Sequence, residues 1–293
     1  MPGPFEQIHC RSLQEAKAVL SSPRYARRAS LERLLASLHT HDREYRLPGI
    51  CGVDAAPVTF LVDRKWGASR LDDGTWLPNW RERLQCPKCG LNNRQRAIAT
   101  IVLDDLDRRQ SSGPCQVWLM EQLSPTCGVL RHRVPAECFV ASEYVGAAHV
   151  SGTVVRGVRH EDAENTSFRD AALDVIVSND VLEHVPHPKR AIEEAARILK
   201  PGGVLYFTIP FHQDRYATVV RAESVDDGVT HHLPPQYHGD PFSGGRSLVF
   251  TDFGWDVLDV VRSCGFADCS AVLYWSLEYG HLGGGNFLFV ASR

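Results

Sequence analysis

Apolar residues in the first part of the chain follow the three- and four-residue spacing of amphipathic helices. The spacing runs from Leu13 to Arg43 and is interrupted at Ser22-Pro23, which predicts two helices. Residues 47–96 instead carry short apolar runs and turns, and helical spacing returns from Leu91 to Arg109. We therefore predict an N-terminal helical segment, 1–45, and a separate module with a linking helix, 46–111.

From residue 112 onward, short apolar runs alternate with amphipathic segments. The runs predict strands at 117–120, 138–142, 173–178, 204–209, 271–276 and 287–291. Helices are predicted at 188–199 and 253–264, and the first of them stops at the turn 200–203. Such alternation indicates an α/β fold with a largely parallel sheet, and the two closing runs predict an antiparallel hairpin at its edge. Residues 112–293 are predicted to form one Rossmann-like domain with an insertion at 211–250.

Composition narrows the class of protein. The 293 residues allow one large domain with an appendage, and 43% hydrophobic with 23% charged residues is typical of folded proteins. A net charge of −3 argues against a non-specific nucleic-acid binder. No segment is apolar enough to cross a bilayer, and the first ten residues lack the apolar core of a signal peptide. We expect a cytoplasmic protein whose nine cysteines are reduced thiols or metal ligands.

Two motifs carry a family resemblance. Residues 173–185, LDVIVSNDVLEHV, precede residues 197–203, RILKPGG, by a predicted helix. This block resembles the fourth strand and the following turn of class I S-adenosylmethionine-dependent methyltransferases. The resemblance implies a Rossmann-like, seven-stranded sheet, S-adenosyl-L-methionine as cofactor and methyl transfer as the activity. The segments at 121–125, 142–144, 159–162 and 237–241 resemble a bacterial subgroup that has an N-terminal zinc-ribbon-like cysteine module.

Acidic residues follow the predicted strands, where ligands bind in open α/β sheets. Glu143 follows the second strand and Asp162 a predicted third, and the resemblance implies that they bind the ribose hydroxyls and the adenine amino group. The alternative is that each is a solvated loop carboxylate. The first loop holds a single glycine, Gly128, whereas the family's loop is glycine-rich. The remaining cofactor-binding candidates are Glu121, Thr126, Tyr144, Glu161, Asn179, Asp180 and His184.

The insertion contains the candidate catalytic residues. If the acceptor is a hydroxyl or an amine, a base must take its proton, and histidine titrates near neutral pH. We predict His231 and His238 as bases and Tyr237 as the residue that orients the substrate. Two alternatives stay open: these side chains satisfy buried hydrogen bonds in a proline-shaped loop, or a metal is bound by His231, His232, His238 and Asp240.

The cysteine module suggests a structural zinc ion. Cys86 and Cys89 have the spacing of a zinc knuckle, and Cys51 with Asp54 would complete a four-ligand set. His39 or His41 could replace Asp54 as the fourth ligand. The alternative is a metal-free module packed by tryptophans.

Three functions remain compatible with the sequence. The first is methyl transfer to a small-molecule acceptor, with the N-terminal segments as a lid or a homodimer element. The second is methylation of RNA or protein recognised through the zinc module, for which Arg94 and Arg96 offer guanidinium groups. Nucleic acid is disfavoured by the mildly acidic composition. The third is a binding protein on the same scaffold that does not turn over.

Overall fold

The computed structural model describes residues 5–225 and 228–293. It divides into two compact units. Among the described residues, the first unit contains 5–105 and 272–288, and the second contains 106–225, 228–271 and 289–293. The domain boundaries given above remain a prediction, and this division differs from them in placing 272–288 with the N-terminal unit.

The first unit begins with the two predicted helices. Ser12 and Ser22 cap them by accepting hydrogen bonds from Glu15 N–H and Tyr25 N–H, which explains why the helices break where they do. The elements up to the linking helix are β1 (Glu6–Cys10), α1 (Leu13–Leu20), α2 (Pro23–Leu38), β2 (Glu44–Cys51), β3 (Ala56–Asp63), β4 (Ser69–Arg70), β5 (Trp76–Leu77) and α3 (Asn93–Gln110). β2 and β3 form an antiparallel hairpin.

The second unit follows the predicted alternation. Its elements up to the insertion are β6 (Val117–Leu119), α4 (Pro125–Arg131), a 3₁₀ turn (Ala136–Cys138), β7 (Phe139–Ala141), β8 (Val154–Val155), β9 (Val158–Arg159), β10 (Leu173–Asn179), a second 3₁₀ turn (Leu182–His184), α5 (Pro188–Ile198) and β11 (Leu199–Thr208). The predicted turn at 200–203 is wrong in one respect, because the strand begins at Leu199 and runs through it.

The insertion folds into short antiparallel pairs. Its strands are β12 (Val219–Val220), β13 (Ala222–Val225), β14 (Gly228–His231), β15 (Tyr237–Gly239) and β16 (Arg246–Leu248), followed by β17 (Thr251–Asp252). The pairs are β12 with β17, β13 with β14, and β15 with β16. The chain closes with α6 (Val257–Ser263), shorter than the predicted helix, and with β18 (Asp268–Trp275) and β19 (Phe287–Ser292).

Seven strands form one mixed sheet in the order β1-β18-β19-β11-β10-β6-β7. The central strands β11, β10, β6 and β7 are parallel neighbours, and β19 is antiparallel to β11. Six of the seven residues of β10 are buried, as expected for a central parallel strand. The predicted Rossmann-like α/β sheet is confirmed.

Two details of the sheet correct the prediction. The closing hairpin is not at the edge, because β1 occupies that place. Its sequence, EQIHC, has too few apolar residues to be recognised as a strand. The strand expected before Asp162 is only the short β9, which Arg156 and Gly157, with φ of 51° and 80°, turn back on β8; after it, His160 forms a single parallel bridge with Glu143.

Among the residues described, no helix combines the length and apolar composition needed to cross a lipid bilayer.

Candidate functional site

The carboxyl ends of β6, β7 and β10 bring the predicted cofactor-binding residues to one edge of the sheet. Glu121 follows β6, Glu143 follows β7, and Asn179 ends β10. Because these strands are parallel neighbours in the order β10-β6-β7, their ends lie side by side.

Glu121 is buried and held by the next strand. One carboxylate oxygen accepts a hydrogen bond from Asn179 N–H at 3.2 Å, and the other accepts from the Asn179 side-chain amide. The carboxylate therefore fixes the end of β10. The side-chain oxygen of Asn179 is buried and has no hydrogen-bond partner among the described residues.

Glu143 reaches the first loop from β7. Its Oε1 accepts a hydrogen bond from Leu123 N–H at 2.8 Å. Burial raises the pKa of this carboxyl to about 7, the Leu123 N–H opposes the shift, and the charge of Asp240 adds to it. The hydrogen bond thus fixes the position of the Glu143 carboxyl, and burial shifts its pKa. Shifted pKa values of this kind are frequent at functional sites.

The first loop and the following helix supply a second buried polar atom without a partner. Thr126 lies in the first turn of α4, is fully buried, and its Oγ1 has no hydrogen-bond partner in the described part of the chain. Tyr144, by contrast, is 55% exposed and its ring contacts His160 with centroids 5.5 Å apart.

The two remaining acidic candidates, Glu161 and Asp162, both lie in the loop at 159–167 but have different contacts. Glu161 is buried, and its carboxylate accepts from Arg159, from Ser167 N–H at 2.8 Å and from Ser167 Oγ–H at 2.6 Å. It therefore supports the loop from inside. Asp162 is half-buried, and its Oδ1 accepts from Glu164 N–H at 2.9 Å.

Asp180 follows β10 in a strained conformation. Its φ is +52°, a left-handed value that costs a non-glycine residue about 1–3 kcal/mol. Its Oδ1 accepts a hydrogen bond from Thr208 Oγ–H at 2.8 Å, which ties the loop to the end of β11. Such strain is frequent at functional sites.

A cluster of three side chains joins the second 3₁₀ turn to the insertion. His184 Nε2 and His238 Nδ1 are 3.0 Å apart, and each is 3.6 Å from Glu183 Oε1. His184 Nδ1 lies 2.8 Å from the carbonyl oxygen of Leu248 in β16. Phe250 N–H donates to the carbonyl of Glu183 at 2.7 Å, which anchors the end of the insertion on the same turn.

Glu183 is the member of this cluster that the sequence analysis missed. Its side chain has no exposed surface, and neither carboxylate oxygen has a hydrogen-bond partner in the described chain. Burial raises its pKa, while the nearby histidines act in the opposite direction. Its position between Leu182 and His184, directly after a central strand, was the available signal.

The other insertion candidates lie elsewhere. His231 is exposed at the end of β14, opposite Ala222, and His232 Nε2 is 3.2 Å from Glu223. Tyr237 is 46% exposed on β15. The metal group suggested from sequence, which joined His238 to His231, His232 and Asp240, is therefore not formed; His238 is grouped with Glu183 and His184 instead.

In the first unit, the four cysteine-module candidates come together. Ligand atoms of Cys51, Asp54, Cys86 and Cys89 all lie within 4.8 Å of one another. Cys51 Sγ is 3.7 Å from Cys89 Sγ, and Cys86 Sγ is 3.7 Å from an Asp54 oxygen. Asp54 is the fourth member of this group, whereas His39, the alternative ligand, is hydrogen-bonded to Asp42 at 2.8 Å.

The arginines near this module are internal. Arg96 is fully buried and donates to the carbonyls of Tyr279 and Gly280, both at 2.7 Å. Arg94 is buried against Glu82, with Nε–Oε1 of 3.1 Å. These two guanidinium groups hold the first unit together and are not presented to an anionic partner.

Comparison with known proteins finds methyltransferases. Residues 138–207 match a family model described as a methyltransferase domain. An arsenite methyltransferase of Aquipseudomonas alcaligenes is 38% identical over 87 residues, which cover 29% of this chain and 23% of that protein. A ubiquinone biosynthesis O-methyltransferase of Coxiella burnetii is 46% identical over 67 residues, which cover 22% of this chain and 29% of that protein.

Among solved structures, an S-adenosylmethionine dependent methyltransferase from Mesorhizobium loti is 14% identical and has a TM-score of 0.37, over 67% of this chain and 98% of that one. The matched segments span less than a third of the length of the two curated relatives. The predicted methyltransferase class is confirmed for the segment 138–207, which matches the methyltransferase domain model and contains the motif recognised at 173–203. The subgroup with the zinc-ribbon-like module stays a prediction.

Proposed function

We propose that the protein transfers a methyl group from S-adenosyl-L-methionine to a small-molecule acceptor. The observation that carries the proposal is the meeting of Glu121, Glu143 and Asn179 at the ends of three parallel strands, within and beside the matched methyltransferase segment. The buried, unpartnered Thr126 Oγ1 and Asn179 Oδ1 fit this proposal, since a bound polar ligand would satisfy both.

On the donor side, Glu143 is the residue assigned to the ribose hydroxyls. Its carboxylate stands at the end of β7, and Leu123 N–H fixes one oxygen while leaving further lone pairs to accept. Asp162 is assigned to the adenine amino group, with Glu161 holding its loop in place. Asp180, Tyr144 and His184 remain candidates that line the same strand ends.

The chemistry requires alignment more than covalent help. When bound, S-adenosylmethionine supplies a methyl group on a sulfonium; the acceptor atom forms a bond to that carbon, the carbon–sulfur bond breaks, and the electron pair stays on sulfur. The protein holds the two reactants in line and keeps water out. A hydroxyl or amine acceptor must also lose a proton.

On the acceptor side, we assign the role of base to His238 and not to His231. His238 is half-buried and lies against the fully buried Glu183, whereas His231 is exposed on a separate hairpin. Acceptor deprotonation is therefore assigned to the Glu183–His184–His238 cluster, with the neighbouring exposed Tyr237 available to orient the substrate.

A small-molecule acceptor is favoured over RNA because Arg94 and Arg96 are buried in internal contacts. RNA binding gains most of its affinity from exposed basic groups that neutralise phosphates. We further propose that the Cys51, Asp54, Cys86 and Cys89 group holds a structural zinc ion, since its four ligand atoms already lie together.

To test the proposal, the protein is incubated with a cell extract and with S-adenosylmethionine that carries a labelled methyl group. Ultrafiltration then separates low-mass from high-mass products. We expect label in the low-mass fraction and formation of S-adenosylhomocysteine. Glu143→Ala should weaken donor binding, measured by calorimetry, by about 10- to 100-fold, because charged hydrogen bonds contribute about 1.5–3 kcal/mol. Glu137→Ala, an exposed change on the same strand's lead-in turn, is the matched control. Label confined to RNA or protein, or wild-type protein that does not bind donor, would contradict the proposal.

A further inference from the structure

Three ligand atoms in the second unit form a small triangle. Its corners are Glu183 Oε1, His184 Nε2 and His238 Nδ1, and its sides measure 3.0, 3.6 and 3.6 Å. Glu183 and His184 come from the turn after β10, and His238 comes from β15 of the insertion. The triangle is therefore assembled by the fold and not by a local sequence motif alone.

These separations match the ligand shell of one cation. A divalent transition metal binds nitrogen and oxygen at about 2.1 Å, so two of its ligands are about 3.0 Å apart at a right angle and about 3.4 Å apart at the tetrahedral angle. Two imidazoles and one carboxylate are a donor set suited to first-row divalent metals, with coordination positions left open.

The state of Glu183 provides an independent observation. A fully buried carboxylate without a hydrogen-bond partner is costly, and native structures pair such groups or coordinate metals with them. A direct hydrogen bond between the two histidines accounts for the 3.0 Å distance, but it leaves Glu183 Oε1 with two ring nitrogens at 3.6 Å, beyond hydrogen-bond distance, and Oε2 without a hydrogen-bond partner in the described chain. A cation at the centre satisfies all three side chains.

His184 also has the second contact that metal-binding histidines usually make. Its Nδ1 faces the Leu248 carbonyl at 2.8 Å, and a carbonyl can only accept, so Nδ1 carries the proton. The lone pair is then on Nε2, the atom that points into the triangle. A backbone carbonyl that fixes the tautomer in this way is a common partner of metal ligands.

We propose that Glu183, His184 and His238 bind a divalent transition-metal cation that takes an oxygen atom of the methyl acceptor as a further ligand. This deepens the proposed function and depends on it for the role of the acceptor, although the binding of the cation itself does not. The cation would lower the pKa of the acceptor's hydroxyl, so that its proton passes to water and the two histidines serve as ligands in place of the base assigned above. The site then selects acceptors that offer an ionisable oxygen.

The test uses Mn²⁺, which prefers nitrogen and oxygen ligands over the thiolates of the cysteine group. The protein is treated with chelator and exchanged into buffer without donor or acceptor, and the loss of the free Mn²⁺ signal in electron paramagnetic resonance is measured. We expect one Mn²⁺ per chain, displaced by Zn²⁺, and binding weakened at least about tenfold in His238→Gln and Glu183→Gln. His231→Gln, on the neighbouring hairpin, is the matched control and should bind as wild type.

Because Glu183 is buried, thermal melts check that its variant is folded, and the half-buried His238 variant carries the conclusion if it is not. Unchanged Mn²⁺ affinity in folded His238→Gln overturns the site. The site is also overturned if the wild-type protein binds no Mn²⁺ and binds the same number of Zn²⁺ ions per chain as His238→Gln. Donor calorimetry on the same samples separates this failure from that of the proposed function, because a protein that binds donor but no cation contradicts only the metal site.

Discussion

Glu143 lies at the end of β7 with most of its carboxyl group away from water, beside one N–H group and within the field of Asp240. Burial raises the pKa of the neighbouring Cys127 thiol in α4; Arg131 opposes the rise, and the charges of Glu121 and Glu143 add to it. At the scale of single residues, the ionisation of Glu143 and Cys127 at the donor end of the site thus depends first on burial and then on neighbouring charges.

Donor binding is expected to strengthen as the pH rises through about 7, the pKa of Glu143. The ionised carboxylate accepts hydroxyl hydrogen bonds that the protonated form accepts less well. The pKa of Glu143 is higher in the folded state than the unfolded value near 4.5, so the native state holds the proton more tightly. The free energy of unfolding should therefore fall as the pH rises from about 4.5 to about 7. Calorimetry and denaturant unfolding across pH 5–8 would show both trends in wild type and in Glu137→Gln. Equal pH dependence in Glu143→Gln would contradict the assignment.

At the scale of elements, the pairing of β10 with β11 sets the end of the strands at the site. Asn179, which ends β10, lies opposite Thr208, which ends β11. The pairing contains an irregularity between Leu173 and Val175, where β11 passes through Gly202 and Gly203. Gly202 has a φ of +77°, and Gly203 lies against neighbouring backbone.

Gly203→Ala is expected to destabilise the protein by about 1–3 kcal/mol. A Cβ atom there would lie 2.8 Å from the Lys200 carbonyl oxygen and 3.2 Å from that of Asp174, and backbone atoms cannot move aside cheaply. Gly128→Ala in α4 is the control, because its Cβ would meet no atom within 4 Å and alanine favours a helix. Denaturant midpoints measure both, and a Gly203→Ala protein as stable as wild type would show that this strand can shift.

At the scale of the whole molecule, each of the two units carries its own group of candidate metal ligands. The first unit has three thiols and a carboxylate, and the second has two imidazoles and a carboxylate. Because soft thiolates select zinc and harder donors accept other divalent metals, the two sites would differ in the ion they hold.

Removing the ion from the cysteine group is expected to lower the melting temperature. A metal at a free concentration about 100 times its Kd stabilises the folded state by about 3 kcal/mol, which corresponds to roughly 6–12 °C for a chain of this size. Chelator treatment of wild type and the variant Cys86→Ser should show this loss together with one zinc fewer per chain in elemental analysis. Cys264→Ser, outside the group, should retain both the zinc and the melting temperature. A wild-type protein purified without zinc and insensitive to chelator would refute the site.

The sequence alone determined the alternation of strands and helices, the methyltransferase motif at 173–203 and the four cysteine-module candidates, because each depends on local periodicity or spacing. It could not place β1, whose few apolar residues need a partner strand to become half-buried. It expected a third strand where the chain forms only the short β8-β9 hairpin and one bridge to Glu143. Only the tertiary structure brought His238 to Glu183 and His184, although the two histidines are 54 residues apart in the chain. It also turned Arg96 inward. Long-range contacts of this kind depend on how the strands pair and how the insertion folds back, and no local pattern encodes them.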